Sequence, residues 1–598
     1  MRLFQDYLQL RKAFPQAGEG EAILVTMADV AEFFFCTQRN AKLILNKMIE
    51  QRWITFVSGR GRGHSSVLTF LIGTEELLLQ EAKALAEAGE VESAFRLLKE
   101  NAESGYVKER FVEWFSRYFG YRTEAGQHSA KEVLKLPLYR TINTIDPADV
   151  FFSFDGHLIK QVFSTLVEVE EEGGEGEVKP NIAHHWKQNA EATEWTFFLR
   201  KGIQFHHGRE LTAEDVRYTL GRLQDPKSTQ QWLVKDIASI EVLSRYAIRI
   251  HLKRPNYLFL LYLSVPPASI VPQDIYEKQE HLHALPVGCG PFRVIERKAG
   301  RCVLEAFDTY FLGRPYVDRV EIIVVPEIDA AYRMESESNL LVVKTGEADM
   351  GALEDWQEGR QLCGCSMMSV NLRKKGVLQD IRLRKAMFHL INREQMIRDL
   401  GEQRLYSASQ FRFQETYERE DRAWMEAAGR AFLKESSYAG ESILLYTFAR
   451  HEPDAKWLKR FMEPYGINLE VHIVAWSDLL REDIKEKADL LLFEAVLSEG
   501  IIRLVEYFQS ANSLIFSQLS ESQAAFVDEK IGRLLAEPTA AGREAQLVSI
   551  EQELDKSYSF IYLTYKAVNA VSHPSLQGVK VNQRGWVDFK DVWFDPVP

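Results

Sequence analysis

Between residues 37 and 52 the apolar positions fall at three- and four-residue steps: Ala41, Ile44, Leu45, Met48 and Ile49. That spacing predicts a helix with one buried face, capped by Thr37. Its opposite stripe carries Arg39, Leu43, Asn46 and Glu50, with Gln38 and Asn40 in the first turn. Just before it, Thr26 followed by Asp29 is a capping-box start, and Val30, Phe33 and Phe34 supply the apolar face of a shorter helix. Only Phe35 and Cys36 separate the two. Short helix, tight turn and longer helix with a polar leading end form the helix-turn-helix pattern, whose second helix enters the major groove. The run WITFVSGRGRGHSSVLTF follows, two β-rich segments around Gly59-Arg60-Gly61-Arg62-Gly63. It predicts a hairpin with two guanidiniums at its tip, able to reach phosphate or a narrow minor groove. Residues 1–72 therefore read as a winged helix-turn-helix for double-stranded DNA. Gln38, Arg39, Asn40, Lys42 and Asn46 are the groove-facing candidates, and Arg60 and Arg62 the backbone or minor-groove ones. A phosphate-cradling loop is a poor alternative, because GRGRGHSS lacks the lysine and the following helix.

Residues 73–132 read as a helical connector. Gly89 and Gly105 punctuate it into about three helices, and Leu77, Leu78, Leu85, Phe95, Leu98, Phe111, Trp114 and Phe115 are its packing residues. A rigid spacer and a dimerisation surface are both open readings. From about Leu134 short β runs alternate with helices: LPLYRTINTIDP, a helix from His157 to Leu166, then WTFFLRKGIQFH. Such alternation implies α/β lobes, with EEEGGEGEV as an exposed hairpin tip.

Composition sharpens this division. A chain of 598 residues with 46% apolar and 27% charged content is globular and long enough for about three or four domains. Its net charge is −13, yet residues 1–72 hold nine Lys and Arg against six Asp and Glu. A small basic head on a large acidic body points to the head as the part that meets a polyanion. No apolar run reaches membrane-spanning length, and MRLFQDYLQLRKAF lacks the apolar core of a secretory signal. Five scattered cysteines do not make a disulfide framework. A cytoplasmic protein without membrane partners is the expectation.

Catalytic and metal chemistry finds no foothold. No Gly-x-Ser-x-Gly elbow, HExxH or Walker sequence occurs. His184-His185 and His206-His207 are adjacent pairs, and neighbours on a strand or helix point apart, so neither pair chelates from one face. Cys363-Gly364-Cys365 stands alone. The expectation is no enzyme activity, no metal and no cofactor.

From residue 145 onward the chain resembles the family 5 extracellular solute-binding proteins. The likeness is carried by Ile145-Asp146-Pro147, by Pro180-Asn181-Ile182-Ala183 with Trp186, and by WTFFLRKGIQFHHGRELTAEDVRYTLGRL. GCGPFRVIERKAG, YFLGRPYVDRVEIIVVPE and VNLRKKGVLQDIRLRKAMFHLINREQMI continue it in the family's order. Together with FFFCTQRNA, GRGRG, AHHW, FHHGRELT and RGWVDFKDVWF, the whole resembles the SgrR family of regulators. His207 stands where most transport members carry an aspartate.

The resemblance implies a multi-domain α+β and α/β chain: an N-terminal winged helix-turn-helix, a helical connector, and a C-terminal two-lobed periplasmic-binding-protein-like fold over 133–598. Lobe I would comprise about 133–365 and 551–598, and lobe II about 366–550. It implies a regulator whose body senses a small molecule, a sugar phosphate or a short peptide, and so modulates promoter binding. The alternative is the solute-binding component of an ABC-type oligopeptide transport system. A homodimer is open. Arg140, Phe152, Phe154, His157, Tyr565 and Trp586 lie in segments that would form lobe I strand ends and are the cleft candidates. GRELTAED reads as a turn and a helix cap, Thr212 with Asp215, rather than as a site.

Overall fold

A computed structural model describes residues 2–595 except 60–64, 103–104, 117, 125–129, 139–140, 151–152, 171–175, 227, 279–284, 326–341, 345–356, 402–403, 413–423, 497–499, 511, 573–575 and 581–585. The chain divides into two compact units. One comprises Met1–Thr141, Glu296–Val303 and Val320–Asn339; the other comprises Ile142–Ile295, Leu304–Arg319 and Leu340–Pro598.

In the first unit the head runs α1 (Arg2–Ala13), β1 (Ala22–Val25), α2 (Met27–Phe33), α3 (Gln38–Glu50), β2 (Ile54–Val57) and β3 (Ser66–Phe70). The capping box at Thr26 and Asp29 is present in both directions, at 3.0 and 3.2 Å. Thr37 caps α3 by accepting the Asn40 N–H at 3.3 Å. The strands form an antiparallel sheet in the order β1-β3-β2, so the predicted hairpin gains a third strand. Helix α1 and strand β1 were not legible from periodicity, yet α1 seals the core. Its Tyr7 stacks edge-on against Trp53 and Phe70, and its hydroxyl donates to the Ile72 carbonyl.

The connector is three helices, α4 (Thr74–Glu87), α5 (Val91–Asn101) and α6 (Gly105–Ser116). Phe95, Phe111 and Phe115 stack on one another at 5.3–5.7 Å, with Trp114 against Phe111, which makes these faces internal packing. The connector then runs into β4 (Gly120–Glu124), which pairs antiparallel with β5 (Lys131–Leu138). These two are the last two strands of a five-stranded sheet with β4 at its edge, in the order Phe292–Lys298, Arg301–Ala306, Arg319–Val324, β5, β4. The turn after α4 also meets this sheet: a Cβ on Gly300 would lie 1.9 Å from the Gly89 carbonyl oxygen, so the approach admits only glycine. Within the same unit buried Glu321 accepts from Arg301 at 3.0 Å, and Lys135 bridges Glu124 at 3.0 Å and Glu321 at 3.6 Å.

The second unit contains a four-stranded antiparallel sheet, with Ile237–Ser244 and Ala247–Leu252 beside Glu194–Leu199 and Ala183–Gln188. Trp195 and Phe197 are fully buried on it. A seven-stranded mixed sheet follows. Its long strands Gln357–Val370 and Phe560–Ser572 pair antiparallel, and Gln357–Val370 also pairs with Leu490–Val496. Leu490–Val496 and Leu469–Ile473 flank Ile443–Thr447 in parallel, and Arg404–Ser407 pairs with Phe560–Ser572. Central strands such as LLLFEAV and FIYLTY are almost continuously apolar because both faces are covered.

Candidate nucleic-acid interface and solute site

Helix α3 buries Ala41, Leu45 and Met48. Gln38, Arg39, Asn40, Lys42 and Asn46 are all exposed, as are Leu43 and Lys47. Arg39, Leu43 and Asn46 lie on the side of the helix opposite Ala41, while Gln38 and Asn40 are exposed in its first turn. Phe35, in the turn before it, is 86% exposed with φ +47°, a left-handed conformation unfavourable for a side chain with a Cβ. Arg60 and Arg62 lie outside the described residues.

The cleft candidates separate. Arg140 and Phe152 lie outside the described residues. Phe154, His157 and Trp586 come together: the Phe154 and Trp586 rings are 4.6 Å apart, and His157 lies 6.0 and 6.3 Å from the two. His157 also meets Phe589 edge-on at 5.2 Å, and its Nδ1 is 3.6 Å from the Asp588 carboxylate. Gln161 joins both segments, donating to Asp588 at 3.1 Å and accepting the Phe589 N–H. Tyr565 is elsewhere, on the seven-stranded sheet, where its hydroxyl donates to the Gln410 carbonyl at 2.7 Å. Burial raises its pKa.

That sheet carries a polar cluster that sequence reading missed. Strand register puts Lys566 opposite Gly364, Arg404 opposite Lys566, and Ser366 opposite both Thr564 and Glu494, all on one face. Arg404 clasps Asp454 with two hydrogen bonds, at 3.1 and 2.8 Å, both side chains buried. The Lys566 ammonium is 3.9 Å and the His451 ring 4.0 Å from the same carboxylate. Arg450 approaches Glu494 at 3.4 Å. Burial holds His451 well below its ordinary pKa, helped by Lys566, Arg450 and Arg404, so its ring is neutral at pH 7. Burial also lowers Lys566, against the attraction of Asp454 and Glu494. Both His451 ring nitrogens and the Ser366 and Thr564 hydroxyls are buried and make no hydrogen bond among the described residues. Three cationic side chains face two carboxylates here.

The sequence-family comparisons agree with both halves. Residues 2–114 match the family described as "Sugar transport-related sRNA regulator N-term", and residues 177–498 match "Bacterial extracellular solute-binding proteins, family 5 Middle". The chain is 31% identical to the uncharacterized protein YhjP of Bacillus subtilis over 99% of its own length and all of that protein. It is 26% identical to proteins named HTH-type transcriptional regulator SgrR from Yersinia enterocolitica and Escherichia coli, over 100% of this chain and 99% of each. The chain belongs to the SgrR family.

Among solved structures, the oligopeptide-binding protein AppA of Bacillus subtilis, bound to a nonapeptide, matches with a TM-score of 0.67 at 18% identity, over 77% of this chain and 99% of that one. DppA of Helicobacter pylori, with peptide STSA, matches at 0.67 and 20% identity, over 81% and 99%. These likenesses establish the two-lobed fold of this SgrR-family body. Its paired histidines take separate partners. His206 is held by backbone, Nδ1 accepting the Gly288 N–H at 3.3 Å and Nε2 lying 3.1 Å from the Gly290 carbonyl; His207 lies 3.2 Å from Asp274. His184 and His185 are exposed. In GRELTAED, Asp215 accepts the Thr212 N–H at 2.9 Å, and Arg209 bridges Asp215 and Asp274, consistent with a cap. Two signals could have exposed the polar cluster. Lys566 is a lone cation in the apolar run FIYLTYKAV, and Arg450-His451 follows the strand Ile443–Thr447 where helix Glu452–Met462 begins. The carboxyl end of a strand is where α/β sheets hold ligands.

Proposed function

We propose that the chain is a DNA-binding transcriptional regulator whose solute-binding-like body senses a small molecule and modulates promoter affinity. One observation carries this reading: a helix-turn-helix head with an exposed polar reading face is continuous, in one chain, with a family 5 body, and full-length relatives are named as regulators. In this reading residues 1–72 form the DNA-binding domain, 73–132 the connector and 133–598 the sensor. Gln38, Arg39, Asn40, Lys42 and Asn46 meet the major groove, with Arg60 and Arg62 on the backbone or in the minor groove. The polar cluster around Lys566, Arg404 and His451 takes the charged group of a sugar phosphate or peptide, and Trp586 is a candidate for an aromatic wall. The body carries no catalysis, and the site of action is the cytoplasm. A transport receptor is the less supported reading, because its task gives a DNA-reading head no role.

The test is operator binding by fluorescence anisotropy, comparing the chain's own upstream region with random duplex, with and without glucose 6-phosphate and then a peptide library. A sensing ligand must change DNA affinity, and DNA must change its affinity by the same factor. Arg39→Ala should cost about 1–3 kcal/mol and relax sequence preference, while removing Arg60 and Arg62 together should lower the salt slope by roughly two. A ligand that binds tightly yet leaves operator affinity and transcription unchanged sinks the sensor mechanism. Equal binding to upstream and random duplex sinks the regulator.

A further inference from the structure

Leu43 stands at the centre of the α3 reading face, although nothing in its chemistry suits water. It follows Ala41 by two residues, so it projects about 200° around the helix from the most buried position. Ala41 is fully buried and Leu43 is 55% exposed. Its helical neighbours at i−4, i+3 and i+4, namely Arg39, Asn46 and Lys47, are all exposed. An isobutyl group is therefore framed by hydrogen-bonding and charged side chains on the face farthest from the core.

We propose that Leu43 is a specificity-determining residue that reads the 5-methyl group of a thymine. The inference rests on the DNA-binding reading above. When α3 docks in the major groove, Leu43 meets base edges, and most groups there are hydrogen-bond donors or acceptors. An apolar side chain pressed on those groups strips their water and returns no bond, which is unfavourable. The thymine methyl is the apolar exception, and burying it against Leu43 is favourable. The polar residues around Leu43 then fix the register in which that methyl is presented. Leu43 adds to the donor and acceptor reading available to Arg39 and Asn46 by sensing the methyl group that the other bases lack.

The experiment uses the full chain and the duplex it enriches from a random-sequence pool. Each thymine is replaced singly by uracil, which removes only the methyl, and affinity is read by anisotropy for the wild type and Leu43→Ala. The expected result is one position at which uracil weakens the wild type about fourfold, the worth of one buried methyl, and leaves Leu43→Ala unaffected. Since Leu43 is exposed, the variant should keep the wild-type unfolding curve, and the uracil series tests the wild type without any change to the protein. Two results overturn the inference alone: a duplex is enriched but no uracil weakens binding, or every uracil effect persists in Leu43→Ala. A Leu43→Ala change in sedimentation with unchanged base preference also overturns it, because Leu43 would then face a second copy. Failure to enrich any duplex overturns the DNA-binding reading as well.

Discussion

The reading face of α3 and the polar cluster of the seven-stranded sheet are built from the same kinds of side chain under opposite conditions. On α3, Arg39, Lys42 and Asn46 come from one helix of 13 residues and stay exposed. In the cluster, Ser366, Arg404, His451, Asp454, Thr564 and Lys566 come from distant segments and are buried, and the Glu494 side chain is 6% exposed. Exposed charges keep their hydration, so they cost the fold little and are available to a partner. Buried charges must be compensated within the protein, and each is tied to folding. The same guanidinium is thus open to solvent on α3 and clasped by a carboxylate in the sheet.

Three changes probe that contrast, the largest first. Asp454→Ala leaves the Arg404 guanidinium buried without its carboxylate and should cost about 3–5 kcal/mol, read from urea unfolding of the full chain. Arg39→Ala should leave the same curve unmoved. If Asp454→Ala unfolded like the wild type, the cluster would be energetically equivalent to a solvated surface and the contrast would fail.

Acid is the second probe. Burial pushes the His206 pKa down to about 4, mainly by desolvation. Below about pH 6.5 the unfolded chain takes up a proton that the folded imidazole refuses until about pH 4, so stability is full above 6.5 and falls as pH drops through this window. For a partly exposed ring the loss is about 2 kcal/mol, and buried His451 acts in the same sense. The described head residues contain no histidine. Unfolding followed between pH 7 and 4 should therefore show the body weakening; a body as stable at pH 4.5 as at pH 7 would show that neither ring is held neutral.

The smallest effect belongs to the head. Thr37→Ala removes the cap that orients the first turn of α3 and should cost about 1 kcal/mol, measurable as a shift in head unfolding in the full chain. A loss of several kcal/mol would mean that Thr37 is a core element and that the reading face is not mounted on a simple capped helix.

How much was legible depended on the range of the interactions. The capping residues Thr26, Asp29, Thr37 and Thr212 were readable because a cap is a contact three residues long. The reading face was readable because helical period sorts inside from outside, and Ala41, Leu45 and Met48 are buried as that period requires. Helix α1 was not, since only Phe4, Tyr7 and Leu10 mark its core face and their partners lie some fifty residues away.

The sequence by itself determined the winged helix-turn-helix, the helical connector and the membership of a two-lobed binding fold. Local periodicity, turn chemistry and ordered motifs are all written along the chain. Tertiary structure alone decided that Phe154 and His157, on the helix Ser153–Val162, meet Trp586 while Tyr565 sits on the seven-stranded sheet. It alone set Ser366 opposite Glu494 and Thr564, and brought Arg404 to Asp454. The reason is register: a strand slipped by one residue turns every side chain to the other face, and that choice is made by the packing of the whole sheet rather than by any one segment.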